Sequence, residues 1–243
     1  MTRAEEPPVR SGRDLTALLF AMLFPTLAAW LYFMVFTDSK TLPTVYAISK
    51  VVQFSFPLAW TLAVTKGRLP RLNVTPRALL EGMGTGLVMA IALFLTYVVL
   101  MGQGPLLQEA RPRILSRVQA IGIDTPVRFL GMALFLSVIH SLLEEYYWRW
   151  FVFGRLQERV RLAGALILSS VAFTLHHVII LHAFLGPEFW PVTLGLSLAV
   201  ALGGVIWAMV YRRCRLLAAP WISHILVDLV IMAIGYDLIR ELL

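Results

Sequence analysis

Cysteine is almost missing from this chain: Cys214 is the only one in 243 residues. An internal disulfide and a cysteine-based metal cluster are therefore excluded, and Cys214 reads as an inert thiol. Charge is scarce as well. Only 14% of the residues are charged and 59% are hydrophobic, whereas a soluble domain carries roughly 25% charged residues. The period-2 alternation of a membrane barrel is not found, and neither are an internal repeat or a low-complexity tract. Several catalytic signatures are missing too. Without HExxH there is no zinc helix of the site-2 type, and without GxSxG there is no rhomboid-like or hydrolase serine. Asp237, next to Tyr236, has no GxGD segment with which to form an aspartyl dyad. A di-iron bundle would need ExxH on two helices, and that is absent.

What the sequence has in abundance is long apolar runs. A membrane span needs about 20 mainly apolar residues, and seven windows qualify: 15 to 37, 44 to 65, 79 to 102, 127 to 153, 162 to 185, 189 to 211 and 216 to 239. A backbone in lipid must satisfy its own hydrogen bonds, so each window is expected to be helical. The fold class is all-α, a polytopic membrane helix bundle of seven helices, or eight if one segment is re-entrant or split. Residues 1–14 form a tail, and 15–243 form a single transmembrane domain whose motif-bearing core is 127–239. The first window follows the charged stretch MTRAEEPPVRSGRD with no cleavage site after it, so it reads as a retained helix rather than a signal peptide. Between the third and fourth windows, Ile114, Leu115, Val118 and Ile121 recur at helical spacing opposite Arg113 and Arg117. A short interfacial helix is expected there.

A formal net charge of +7 could point to nucleic acid, but the basic residues lie between the apolar windows and not in one stripe. Topology accounts for them better. One side carries Arg3, Arg10, Arg13, Lys66, Arg68, Arg71, Arg77, Arg155, Arg159, Arg161, Arg212, Arg213 and Arg215; the other has Lys40, Arg111, Arg113, Arg117 and Arg240. The excess predicts a cytoplasmic N-terminus for an integral, multi-pass membrane protein. Its expected partners include membrane lipids and not nucleic acid.

All five histidines fall inside predicted spans, together with Glu144, Glu145, Arg149, Asp228 and Asp237. Burying an ionisable group in a membrane costs about 2.5 to 3.5 kcal/mol on the insertion scale, so such groups mark a functional interior. Within HSLLEEYYWRW, Glu145 and Arg149 have the spacing and order of an intrahelical ion pair. Glu145 thus reads as the structural acid. Glu144, rotated about 100° around the helix, is left for chemistry, with His140 one turn before it on the same face. In VAFTLHHVII, Phe173 and His177 share a face while His176 points about a quarter turn away, so one of the two histidines is expected to be structural. In WISHILVDLVI, His224 and Asp228 stand at i and i+4. At 1.5 Å per residue, the three clusters overlap at roughly 12 to 22 Å from the same surface. A single buried site is expected.

A glutamate, histidines and an acid, with no side-chain nucleophile, suit water activation by a general base. A second histidine could donate to the developing oxyanion. A proton-coupled transporter and a non-proteolytic peptide-binding or immunity protein stay open as alternatives.

Three motifs in order on successive spans, EEYYWR from Glu144 to Arg149, FTLHH from Phe173 to His177 and HILVD from His224 to Asp228, resemble those of the CAAX prenyl protease and bacteriocin-processing (CPBP, or Abi) family of intramembrane endopeptidases. The resemblance covers about the last hundred residues, and it implies a membrane-associated peptide or protein substrate as a partner. It implies that Glu144 and His177 activate water, that His224 and Asp228 stabilise the oxyanion or complete the polar pocket, and that Glu145, Arg149 and Phe173 support them. Aspartate stands at 228 where the family commonly has asparagine, so an amide donor is replaced by a carboxyl group. The family has been described as glutamate-type and metal-free, and also as metal-dependent. No cofactor is expected; the alternative is zinc held by Glu144, His177 and His224.

Overall fold

Proline and threonine set where several helices begin. Thr75 Oγ1 accepts the Ala78 N–H at 3.2 Å ahead of Pro76, and Thr125 Oγ1 accepts the Arg128 N–H at 3.4 Å ahead of Pro126. Each threonine satisfies one of the donors a helix start leaves open, and each proline occupies a position where no donor is needed. The computed structural model describes residues 12–36, 40–70, 72–101 and 104–241. Among them every regular element is helical. Seven helices are long and apolar enough to cross a bilayer: α1 (Gly12–Val35), α2 (Leu42–Thr65), α3 (Pro76–Val99), α5 (Pro126–Gln157), α6 (Leu162–Leu185), α7 (Pro187–Cys214) and α8 (Ala218–Ile239). The shorter α4 is Pro105–Ala120. This is an integral, multi-pass membrane protein. The expected spans agree with these helices except at their ends. The largest shift of a single end is at α5, which continues four residues further than expected. Most of the predicted N-terminal tail, with Arg3 and Arg10, lies outside the described residues, as does Arg71.

The spans alternate in direction, so α1, α3, α6 and α8 start on one face, here the N-terminal face, and α2, α5 and α7 start on the opposite one. Charged contacts join helix ends on each face. On the N-terminal face, Arg159 reaches Asp14 at 3.6 Å, and Arg213 reaches Glu81 at 3.2 Å. On the opposite face the expected interfacial helix is present as α4. The Arg113 Nε–H donates to Ala183 O at 3.2 Å, and Arg111 Nε–H donates to Leu238 O, tying α4 to the ends of α6 and α8. Val118 is buried as expected, but Ile121 is half exposed because α4 ends before it.

Small residues let α3 and α8 approach closely. A Cβ on Gly82 would lie 2.6 Å from Ala219 O, and one on Gly86 would lie 2.8 Å from Ser223 Cα. Without a hydrophobic force between helices in lipid, such backbone proximity is the main source of packing. It also fixes the height of α8 beside the site, because Ser223 precedes His224.

Central in the bundle is α5. Two stretches of it, Phe135–His140 and Tyr146–Phe153, are π-helical, on either side of the α-helical turn Ser141–Glu145. Wider turns of this kind interrupt the regular helical phase and recur at functional sites. Tyr147, Trp148, Arg149, Phe151, Val152 and Phe153 are all buried, more than one stripe of a surface helix could bury. The outer helices instead turn apolar residues such as Leu80 and Val88 outward, 76% and 70% exposed, as lipid contact requires.

Candidate active site

Glu144 sits at the centre of a ring of histidines. Its Oε1 is 3.3 Å from His140 Nε2 on the preceding turn of α5 and 3.7 Å from His176 Nε2 on α6. Its Oε2 is 3.9 Å from His224 Nε2 on α8. The carboxylate is almost completely buried, so these histidines replace the water it would otherwise have. His140, which sequence spacing placed only on the same face, touches Glu144 directly.

Sequence spacing set His176 a quarter turn away from His177, yet both histidines lie beside Glu144. One oxygen of Glu144 and one nitrogen from each of His176 and His177 lie within 4.8 Å of one another. The cause is the aromatic packing around them. Trp148 stacks on His176 with the rings 4° from parallel and 5.6 Å apart, which turns the histidine towards Glu144. Phe173 packs on His177 at 4.6 Å. His177 Nδ1 lies 2.9 Å from Phe173 O. A carbonyl can only accept, so Nδ1 carries the proton and Nε2 keeps its lone pair.

Glu145 also has more to do than hold Arg149. Its Oε2 accepts the Arg149 Nε–H at 2.9 Å, as the spacing predicted, while its Oε1 lies 2.9 Å from His224 Nδ1. One carboxylate thus bridges α5 to α8. Trp207 of α7 stacks on His224 at 3.9 Å and donates from Nε1 to Ser223 Oγ at 3.0 Å. His224 Nε2 is then left pointing towards Asp228 Oδ1 at 3.5 Å. Trp207 carried no sequence signal, because its role depends on where α7 lies against α8.

Arg149 is fully buried, and its Nη1 and Nη2 have no hydrogen-bond partner among the described residues. Its guanidinium lies over the Phe173 ring at 4.7 Å and near that of Trp207 at 5.5 Å. Aromatic faces stabilise a desolvated guanidinium by about 2 kcal/mol or more, offsetting part of what the missing hydrogen bonds cost. The arrangement couples Glu145, Arg149, Phe173 and Trp207 into one rigid support.

Glu144, His176 and His177 bring three donor atoms within 4.8 Å of one another, a set that has His176 where the expected one has His224; Nε2 of His224 lies 3.9 Å from Glu144 Oε2, with its Nδ1 held by Glu145. Two imidazoles and a carboxylate are a donor set that suits zinc with a fourth position for water. Of the remaining polar residues, His182 packs on Trp190 at 4.9 Å, and Asp237 accepts from Tyr97 OH at 2.7 Å. Neither joins the Glu144 cluster.

The three motifs thus converge from α5, α6 and α8, and they lie in the segment that matches a known family. Residues 126–230 match that family's model. The matched family is described as type II CAAX prenyl endopeptidase Rce1-like, in accord with the resemblance carried by the motifs. No curated protein and no solved structure matches the chain. The match covers 105 of the 243 residues, from α5 into α8, and leaves α1 to α4 outside it.

Proposed function

We propose that this protein is an intramembrane endopeptidase that hydrolyses a peptide bond in a membrane-associated or lipid-modified substrate, using a water activated by Glu144 and His177. The observation that carries the reading is the buried Glu144 carboxylate with ring nitrogens of His140, His176 and His224 within 4 Å and His177 beside it. Glu144 takes a proton from water while His177 Nε2 accepts from the same molecule and orients it. The hydroxide adds to the scissile carbonyl carbon. A His224 ring that donates from both nitrogens fits its surroundings, with Glu145 at Nδ1 and with Nε2 facing Asp228, where its proton can be shared with the oxyanion. Preorganised donors of this kind are commonly worth about 3 to 4 kcal/mol in the transition state. Glu144 then returns its proton to the departing amine, and the C–N bond breaks.

Glu145, Arg149 and Phe173 are positioning residues in this scheme, acting through His224 and His177. Should the protein use zinc, Glu144, His176 and His177 would hold it, and the ion would lower the pKa of the water. The surplus of Lys and Arg on the N-terminal face supports a cytoplasmic N-terminus.

The test is cleavage of a farnesylated peptide ending in a CAAX sequence by the purified full chain in nanodiscs, with mass-spectrometric identification of products. Cleavage by the wild type and its loss in Glu144→Ala is the expected result; equal cleavage by both would remove Glu144 from the chemistry. Peptide binding without any product would instead favour the non-proteolytic reading. A chelator arm separates the two forms of catalysis: inactivation reversed by zinc assigns the metal-bound form, and full activity assigns the glutamate form.

A further inference from the structure

A lysine interrupts the apolar sequence of α2. Lys50 lies eight residues from the start of that helix, about 12 Å from the opposite face at 1.5 Å per residue. His176 and His177 lie nine and eight residues from the same face at the end of α6, which is about 12 to 14 Å. Lys50 is therefore level with the histidines beside Glu144. It is also close to them, acting electrostatically on both Glu144 and His176. The connecting ring is Phe54: Lys50 Nζ lies 5.5 Å from its centroid, and its edge packs on His140 at 5.8 Å.

The ammonium has no carboxylate within 4 Å among the described residues. Its one hydrogen bond there runs from Nζ to Gln53 Oε1 at 3.2 Å, with the Tyr46 ring on a further side at 5.7 Å. That bond settles the orientation of the amide, since an ammonium only donates and must face the oxygen. Gln53 Nε2 is consequently turned elsewhere. Gln53 is 1% exposed, and its Nε2 has no partner among the described residues. A buried amide donor left unmade costs about 1 to 3 kcal/mol. A lysine in a membrane span is costly as well. Here two such donors are adjacent, and both call for an anionic acceptor.

We infer that Lys50 and Gln53 form a carboxylate-binding subsite beside Glu144, which takes the free C-terminal carboxylate of the peptide substrate. The inference rests on the proposed peptidase reading for the identity of the ligand. A carboxylate has two oxygens, one for the ammonium and one for the amide N–H. Its negative charge supplies the partner that Lys50 lacks. With the carboxylate fixed there and the scissile carbonyl at Glu144, the enzyme would select bonds a short, set distance from a chain terminus. An internal loop of a membrane protein would be refused for want of a terminal charge.

The experiment measures binding, so that it does not depend on turnover. Two fluorescent farnesylated tetrapeptides are used, both with the scissile amide N-methylated, one ending in a free carboxylate and the other in a carboxamide. Anisotropy titrations use the full chain in nanodiscs. The wild type should bind the acid about tenfold more tightly than the amide, as expected for hydrogen bonds to a charged group. Lys50→Met should bring the two within about twofold, and Lys50→Arg should keep the preference for the acid. If Lys50→Met loses its thermal transition, Gln53→Leu decides, with a loss of about threefold expected in the acid alone. A wild type that binds neither peptide, or binds both equally, overturns the subsite. So does a Lys50→Met that weakens both equally, because Lys50 would then be only a counter-ion for Glu144. If oleate displaces the acid and amide peptides equally well, the site reads the lipid chain and the inference falls. Acid preference with no cleavage of the ordinary peptide would retain the subsite and reject the peptidase.

Discussion

The two halves of the bundle spend their buried positions differently. Helices α5 to α8 bring Glu144, Glu145, Arg149, His176 and His224 into the interior, each with a charged or aromatic neighbour. Helices α1 to α3 bury mainly small residues, such as Ala17, Ala21, Ala28, Ala29, Ala78 and Ala90, and their one deep cation is Lys50. The first half lets helices come close, and the second half sets its polar groups against charged or aromatic neighbours. Glu144 and Glu145 show the same division on a smaller scale. Glu145 has both oxygens bonded at 2.9 Å, while the nearest nitrogen to Glu144 is at 3.3 Å. A fully bonded carboxylate is a fixed point. A loosely surrounded one can exchange a proton.

Breaking this contrast at Glu144 should have the largest effect. Glu144→Ala is expected to lower peptide cleavage by about 10²- to 10⁴-fold, as loss of a general base does, while the melting temperature in detergent stays near that of the wild type. A large loss of stability with retained activity would reverse the assignment of the two glutamates. Glu145→Ala should do the converse, destabilising the protein by about 3 to 5 kcal/mol because Arg149 is left buried without its partner. Thermal melting checks it, and an unchanged melting curve would mean that the Phe173 and Trp207 rings alone hold the guanidinium.

In the first half, Gly86→Val should cost about 1 to 3 kcal/mol by overpacking α3 against Ser223. Because the shift would propagate to His224, kcat should fall with it. Stability lost with kcat intact would uncouple the helix contact from the site. The smallest effect belongs to the exposed surface: Leu80→Ala is expected to change stability by less than about 0.5 kcal/mol. A larger loss, measured in the same melting experiment, would identify Leu80 as a contact with another protein chain.

Much of this organisation was legible in one dimension. The seven spans followed from apolar length, and α4 followed from the spacing of Ile114, Leu115 and Val118. Pairs within one helix were also readable: Glu145 with Arg149, and His224 with Asp228, because helical geometry alone puts residues four apart on one face. Pairs between helices were not. His176 was turned to Glu144 by Trp148, and His224 was bound by Glu145, through contacts that depend on how α5, α6 and α8 are rotated. The π-helical turns of α5 added to the difficulty, since they break the regular phase on which the 100° separation of neighbours rests. Lys50 had a signal, a lysine within an apolar run. Its meaning needed Gln53 three residues later and Phe54 beside His140.

By itself, then, the sequence determined that the chain is a membrane bundle, which residues are polar within it and which of them pair along a helix, because hydrophobic length and helical periodicity are local properties. Only the tertiary structure decided which histidines surround Glu144 and that Glu145 bridges two helices. It also decided that Lys50 and Gln53 stand beside the candidate site with donors to spare. Those facts depend on the rotation and height of each helix against the others, which are set by small-residue contacts such as Gly82 and Gly86 on α8 and by aromatic packing across the bundle.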